Sequence, residues 1–384
     1  MRVLTVFGTR PEAVKMAPVV KKLTNAPGIE ARVCVTAQHR QMLDQVLDLF
    51  QIQPDYDLNL MRDEQTLAQL SADIFTHLDP VLTDFSPDWV LAQGDTTTVA
   101  ITSLLCYYRR IKFGHVEAGL RTHNKWAPFP EEVNRRIAGV IADLHFAPTE
   151  LSKKNLLREG VDESIIKVTG NTVIDALQFV AKQPEPEEVH ALLAKLGINN
   201  EKQKASENSS PVSRRLILVT AHRRENFGEP MENICQAFID LASRGDVEIV
   251  YPVHLNPNVQ EPVNRLLKGV EHITLLPPLD YLPLVHLMKH AYIILTDSGG
   301  IQEEAPAFGI PTLVLRDVTE RPEGIEAGTL KLAGTETAQI TSEANRLLDD
   351  PAAYKAMSFA ANPYGDGRAA EKILREILQN RENL

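Results

Sequence analysis

Short apolar runs rich in β-branched residues alternate along the chain with longer stretches whose apolar positions recur every three to four residues. Residues 3–7, 31–36 and 88–92 are continuous apolar runs of the kind buried on both faces of a parallel sheet. Residues 12–23 and 41–50 carry the helical period between them, and a further strand candidate at 112–116 follows another helical stretch. The rhythm restarts after residue 213, with strand candidates at 215–220, 247–253, 272–276, 292–296 and 312–315 and helices at 231–243 and 301–308. Strands alternating with helices predict a parallel, doubly wound sheet. Two such blocks in series predict an α/β protein of two Rossmann-like domains whose parallel sheets face each other across a cleft. Because open α/β sheets bind ligands beyond the carboxyl ends of their strands, the cleft is the expected site.

A length of 384 residues fits two cores better than one. Between the blocks, residues 183–188 and 199–213 are polar, and the second stretch has so little to bury that a mobile surface loop is expected there. Residues 362–367 form a turn-rich break before a last helix from about Arg368. Fifty-one acidic against 40 basic side chains give a net charge of −11, which argues against general binding to nucleic acid or anionic lipid. It leaves room for a local cluster of arginines and backbone amides around an anion. Cys34, Cys106 and Cys235 lack paired spacing and read as buried thiols of a reducing compartment. No stretch has the length of a membrane span or signal peptide, so a cytoplasmic protein is expected.

Four constellations could carry chemistry. Gly8-Thr9-Arg10-Pro11-Glu12 stands where the first strand enters its helix; Pro11 suits the first helical turn, and Arg10 and Lys15 add charge near amides that favour an anion. A plain turn with solvated charges fits the same residues. Asp297-Ser298-Gly299-Gly300 occupies the equivalent place in the second block, with Glu303 and Glu304 just beyond. It is neither a Walker A loop nor GxGxxG, and either a diphosphate approach or a tight turn explains it. Asp95, Glu117 and Glu131 lie at or shortly after the ends of two first-block strands, where carboxylates commonly move protons. Helix capping by Asp95 and Glu131, and an arginine partner for Glu117, are the structural alternatives. His222-Arg223-Arg224 ends the first strand of the second block and suits phosphate, as does Arg321. His286 and His290 have helical metal-ligand spacing but no accompanying HExxH or third ligand, so neither a metal nor another cofactor is expected.

Taken together, these segments resemble the non-hydrolysing UDP-N-acetylglucosamine 2-epimerases. The matching stretches include FGTRPEAVKMAP (7–18), GDTTT (94–98), GHVEAGLRT (114–122), PEEVNR (130–135), TGNTVIDAL (169–177), HRRENFG (222–228), LTDSGGIQEEAP (295–306), ERPEG (320–324) and NPYGDG (362–367). They run in order over nearly the whole chain. The resemblance implies a fold like that of GT-B glycosyltransferases, with residues 1–171 and the returning 366–384 in one domain and 172–365 in the other. It implies reversible interconversion of UDP-GlcNAc and UDP-ManNAc through a 2-acetamidoglucal, with Asp95, Glu117, Glu131 and His222 in acid–base roles. Arg10, Lys15, Ser298, Gly299, Gly300, Glu304 and Arg321 match the UDP-sugar contacts, and a homodimer is implied.

Some positions depart from the family pattern. Gln93 stands where relatives often have His, and Ala221 where many have Gly. Some relatives bind a second, activating UDP-GlcNAc with residues matching Gln38, Gln41 and His254, but the arginine that assists there is Glu64 here, which counts against substrate activation. A GT-B transferase using the same donor, a hydrolysing epimerase and a non-catalytic sugar-nucleotide sensor remain as alternatives.

Overall fold

Two parallel sheets organise the chain, one in each of two compact units, Met1–Gln178 with Tyr364–Leu384 and Phe179–Pro363. The computed structural model describes residues 1–36, 40–60, 62, 64–198 and 214–380, without the side chains of Arg40 and Gln41. The loop expected at 199–213 lies outside these residues.

In the first unit, β1 (Arg2–Phe7), α1 (Arg10–Thr24), β2 (Glu30–Val35), α2 (Arg40–Leu49) and β3 (Tyr56–Asp57) build one wing of the sheet. The other wing follows α3 (Leu67–Phe85) as β4 (Trp89–Gln93), α4 (Thr97–Arg109), β5 (Lys112–Val116), α5 (Glu131–Ile141), β6 (Leu144–Ala147), α6 (Glu150–Arg158) and β7 (Ile166–Val168), with α7 (Thr172–Val180) closing the series. The order β3-β2-β1-β4-β5-β6-β7 reverses between β1 and β4, so consecutive helices leave on opposite faces and the two turns there part from each other. All five residues of β4 are buried, and Leu4, Val6, Val90, Ala92 and Phe113 from three neighbouring strands share one core with Leu78 of α3 and Val99 of α4. Local chemistry starts the helices where the sheet needs them. Thr9 with Glu12 and Thr66 with Gln69 form capping boxes, and Thr96 caps α4.

The second unit starts with α8 (Glu187–Lys195). It continues through β8 (Arg215–Thr220), α9 (Glu229–Ala242), β9 (Val247–Pro252), α10 (Pro257–Leu267), β10 (Ile273–Leu276), α11 (Tyr281–His290), β11 (Ile293–Thr296) and α12 (Gly299–Glu304). After β12 (Thr312–Val314) come α13 (Pro322–Glu326), β13 (Leu330–Leu332), α14 (Thr337–Asp349) and α15 (Pro351–Ser358). The sheet order is β10-β9-β8-β11-β12-β13, and its reversal falls between β8 and β11. Ile217, Val219, Ile249, Tyr251, Ile293 and Leu295 form the sheet side of the core, against Met231, Phe238 and Leu241 of α9.

The α/β reading with two parallel sheets is therefore the architecture adopted, and strands β1, β2, β4, β5 and β8–β12 fall within two residues of the expected runs. Short strands β3, β6, β7 and β13 were not anticipated, since two to four residues carry too little pattern to separate from loop. The expected second-block helix at 301–308 begins two residues earlier and tightens into a 3₁₀ turn over Ala305–Phe308. The chain re-enters the first unit at Tyr364, and α16 (Ala369–Gln379) packs on α1. Its first amides, of Ala369 and Ala370, donate to the Asp175 carboxylate of α7 at 3.1 and 2.9 Å.

The exit from β5 depends on Gly119, whose φ is +93° and whose missing Cβ would lie 2.3 Å from the Ser152 carbonyl oxygen. Gly119→Ala therefore combines a disfavoured backbone with a collision against a helix. A loss of about 1–3 kcal/mol is expected, read as a melting temperature lower by roughly 4–10 °C. An unchanged melting temperature would show that this turn tolerates a side chain.

Candidate active site

The first turn of the first unit is organised by a buried carboxylate. Glu12 accepts from the amides of Gly8 (3.0 Å) and Thr9 (2.7 Å) and from the Thr9 hydroxyl (2.8 Å) through one oxygen. Its other oxygen accepts from the Thr96 hydroxyl at 2.6 Å, across the strand-order reversal. Burial pushes the Glu12 carboxyl above its ordinary range, against these hydrogen bonds. The amides that the sequence offered to an anion are in part taken by this side chain, and Arg10 stands half-buried at the first position of α1.

Glu117 follows β5 in a left-handed conformation, φ +62°, with its side chain 6% exposed. Lys15 of α1 pairs with it, Gln93 at the end of β4 donates to it, and Asn171 donates at 2.9 Å. The partner is thus a lysine rather than the arginine considered from sequence, and Lys15 meets a carboxylate inside the first unit. Asp95 is not a helix cap, because Thr96 holds that position; Asp95 pairs with Arg135 of α5 instead. Glu131 is not a side-chain cap either, since α5 starts after Pro130 with no capping bond, and its Oε2 is buried with no hydrogen-bond partner among the described residues. The neighbouring Glu132, fully buried, accepts from the amides of Thr122 and His123 at 3.0 and 3.1 Å and fixes the loop that leads into α5. His115 holds the Gly94 carbonyl at 2.7 Å, just before Asp95.

A second buried carboxylate orders the second unit. Asp297, fully buried at the end of β11, accepts from the amides of His222 and Arg223, both at 2.8 Å, and from the Asn226 side chain at 3.0 Å. It joins the β8 turn to the β11 turn across the reversal in the second sheet. His222 stacks on His254 with ring centroids 5.3 Å apart, and burial holds its imidazole below the usual range, favouring the neutral ring. Ser298 caps α12 without a side-chain bond. The guanidinium groups of Arg223 and Arg321 lie 3.5 and 3.6 Å from where a Cβ on Gly299 would be, an ordinary contact distance. A Cβ on Gly300 would meet the Glu304 carboxylate at 3.5 Å. Neither glycine is demanded by backbone or packing, so the bare surface between two arginines is suited to an external anion. Arg321 is oriented by Glu303 at 2.5 Å, while Arg223 Nε is buried without a partner. The Tyr281 hydroxyl donates to Glu304 at 3.0 Å.

Among the described residues, no group of three or more His, Cys, Asp or Glu side chains is arranged to hold a metal ion, and no helix is long and apolar enough to cross a membrane. His290 meets Glu185 at 2.5 Å. Gln38 and the Gln41 side chain lie outside the described residues, His254 is present beside His222, and Glu64 is exposed. Sequence reasoning placed Arg223 in a cluster suited to phosphate but gave Asp297, though it sat in a quoted motif, no organising role. It also left out Gln93, Asn171 and Arg135 as partners of carboxylates, because such contacts join positions 24, 54 and 40 residues apart.

Residues 21–378 match the family model described as UDP-N-acetylglucosamine 2-epimerase. The chain belongs to this family. It is 54% identical over 386 residues to the UDP-N-acetylglucosamine 2-epimerase of Escherichia coli (strain K12), covering 100% of both chains. It is 55% identical to the protein of that name from Salmonella typhimurium, again over 100% of both. The solved UDP-GlcNAc 2-epimerase of Neisseria meningitidis bound to UDP-GlcNAc superposes with a TM-score of 0.86 and 48% identity, over 99% of this chain and 100% of that one. The enzyme of Methanocaldococcus jannaschii in complex with UDP-GlcNAc and UDP gives a TM-score of 0.77 at 31% identity, over 99% and 100%. The family is one of isomerases.

The Asp95 turn rests on neutral histidines, which makes it acid-labile. His115 is pushed down to about 4 and His145, its neighbour across β5 and β6, to about 3, both from 6.5 by burial. On unfolding each takes up a proton below about pH 6.5, so the unfolded chain binds more protons and stability falls as pH drops from there. Each unit of displacement is worth about 1.4 kcal/mol. Both ring nitrogens of His145 are buried without hydrogen-bond partners among the described residues, so His145→Leu should keep the fold and flatten the decline of melting temperature between pH 6.5 and 4.5. A slope equal to that of the unsubstituted protein would remove His145 from this effect.

Proposed function

We propose that this chain interconverts UDP-GlcNAc and UDP-ManNAc without net hydrolysis, by eliminating UDP and adding it back. The reading is carried by Glu117, a nearly buried carboxylate at a strand end with a cation and two amide donors around it, in a chain related over its full length to named epimerases. A transferase needs no such carboxylate set, whereas moving a proton at carbon does.

The C2 proton of the sugar has no adjacent carbonyl to accept its charge, so simple abstraction has no stabilised product. In the proposed path a base takes the C2 proton, the C2–H electrons form the C1–C2 double bond, and the C1–O bond breaks with its pair leaving on UDP. The 2-acetamidoglucal then receives a proton at C2 on the opposite face while a UDP oxygen attacks C1. Atoms and charge balance, and water is not a reactant. Asp95, Glu117, Glu131 and His222 supply and remove protons in this scheme. Arg223, Arg321 and the α12 start with Ser298, Gly299 and Gly300 stabilise the departing diphosphate, with Arg10 and Glu304 as further sugar-nucleotide contacts. Lys15 reaches the reaction through Glu117, with which it pairs.

Purified protein incubated with UDP-GlcNAc in D₂O and followed by proton NMR tests the whole scheme. UDP-ManNAc carrying deuterium at C2, with little free UDP, is expected. Free UDP and ManNAc would place the chain with hydrolysing enzymes, and an unchanged sugar would end the epimerase reading. Glu117→Gln and Asp95→Asn should each lower kcat by about 10²–10⁴-fold while UDP still binds by calorimetry. Turnover near that of the unsubstituted enzyme in either variant would take that residue out of the proton transfers.

A further inference from the structure

We propose that Asn171 is a positioning residue for Glu117, holding its carboxylate from the place where the chain leaves the first unit and comes back to it. The inference rests on the acid–base reading of Glu117 and deepens it.

Asn171 precedes α7 and is buried. Its Oδ1 accepts from the Val173 amide at 3.1 Å, which settles the orientation of the side-chain amide. The NH₂ group must then point the other way, and it donates to Glu117 at 2.9 Å. The backbone of Asn171 is fixed separately, its amide donating to the Tyr364 carbonyl at 2.7 Å. Gly170 and Gly365 make that contact possible, since a Cβ on Gly170 would lie 3.3 Å from the Gly365 Cα. Four residues after Asn171, Asp175 receives the first amides of α16 at 3.1 and 2.9 Å. One short segment therefore meets the outgoing helix, the returning chain and the acid–base carboxylate together. Hydrogen bonds to a carboxylate favour its charged form and fix its direction, and a buried amide does both without adding charge.

Charged and titratable groups stand near Glu117 on several elements. Lys15 faces it from α1, Gln93 from β4 is neutral, and the neutral ring of His115 lies on its own strand. Asp95, beyond β4, is paired with Arg135 of α5, and Glu12 is engaged by Thr9 and Thr96. Asn171 donates directly to Glu117, so a change at Asn171 reaches the chemistry through that carboxylate.

Asn171→Asp keeps the acceptor for Val173 and replaces the donor by a second carboxylate. Asn171→Ser keeps a capping oxygen and is too short to reach Glu117. Both are compared with the unsubstituted full-length enzyme for kcat, KM, UDP binding, melting temperature and the pH profile of kcat/KM. The expected result is a fall in kcat of about 10-fold or more for Asn171→Asp, with UDP binding within about 2-fold and the acid limb of the profile displaced upward by about one pH unit. Asn171→Ser should displace the limb in the same direction by less, and it decides alone if the aspartate variant does not fold. A purely structural role would lower the melting temperature and leave the limb in place; coincident pH profiles in both variants, or in Asn171→Ser alone where it is the one that folds, would overturn the proposal. Glu117→Gln run in parallel separates the two readings. If it turns over normally, the role of Glu117 falls and this inference with it; if it is inactive while the Asn171 variants keep the original profile, the positioning role alone falls.

Discussion

A carboxylate removed from water must find donors close by, and Glu12 and Asp297 find theirs in the turns that flank a reversal of strand order. At such a reversal neighbouring helices depart to opposite faces and the turns between them have no sheet hydrogen bonds to hold them. In the first sheet Glu12 binds the amides after β1 and the hydroxyl of Thr96 after β4. In the second, Asp297 after β11 binds two amides and a side-chain amide after β8. The same device thus closes both sheets at equivalent places, from opposite sides of the reversal. Loss of either acid would strand several buried donors at once, which costs far more than one hydrogen bond is worth.

These clamps set what the adjacent residues can do. With Thr96 tied to Glu12, the preceding Asp95 is directed to Arg135 rather than to the helix end. With the His222 and Arg223 amides tied to Asp297, the imidazole is left to stack on His254, and Arg223 Nε stays without a partner. Glu117 differs in kind. Its burial is offset by Lys15 and by amides on two other elements, and its left-handed backbone costs about 1–3 kcal/mol that the surrounding contacts must outweigh. Strain of that size in a non-glycine residue persists when several bonds converge on it, as they do here from α1, β4 and the start of α7.

The sheet architecture was legible because long parallel strands such as β1, β4 and β8 are buried on both faces and read as unbroken apolar runs. β6 was not, because its four residues include His145, a polar type that is buried here without a partner. The candidate carboxylates were legible from their place at strand ends, yet their partners were not. Nothing near Glu117 in sequence points to Asn171, and the contact exists only because β5 and the start of α7 come to the same end of the sheet. Glu131 and Glu132 show the limit most clearly. Adjacent and chemically alike, they divide into an acid with an unpartnered oxygen and an acid committed to two loop amides, a difference made by helical direction alone.

Elimination and re-addition ask for two environments that one cluster of side chains supplies poorly. A departing diphosphate wants positive charge that is present beforehand, and proton transfer at carbon wants carboxylates whose ionisation is not overwhelmed by that charge. Under the proposed function the two demands fall on different sheets of this chain. Arginines gather beside glycines at α12 that neither backbone nor packing requires. Among the described residues, the acid after β4, Asp95, pairs with Arg135, and the acid after β5, Glu117, pairs with Lys15 and accepts from neutral amides. A net charge of −11 is no obstacle to anion binding under the proposed division, because the field at Gly299 is set within a few ångströms by Arg223 and Arg321. His222 fits the same proposal, since an imidazole that burial biases toward its neutral form adds no third positive charge to the arginine pair.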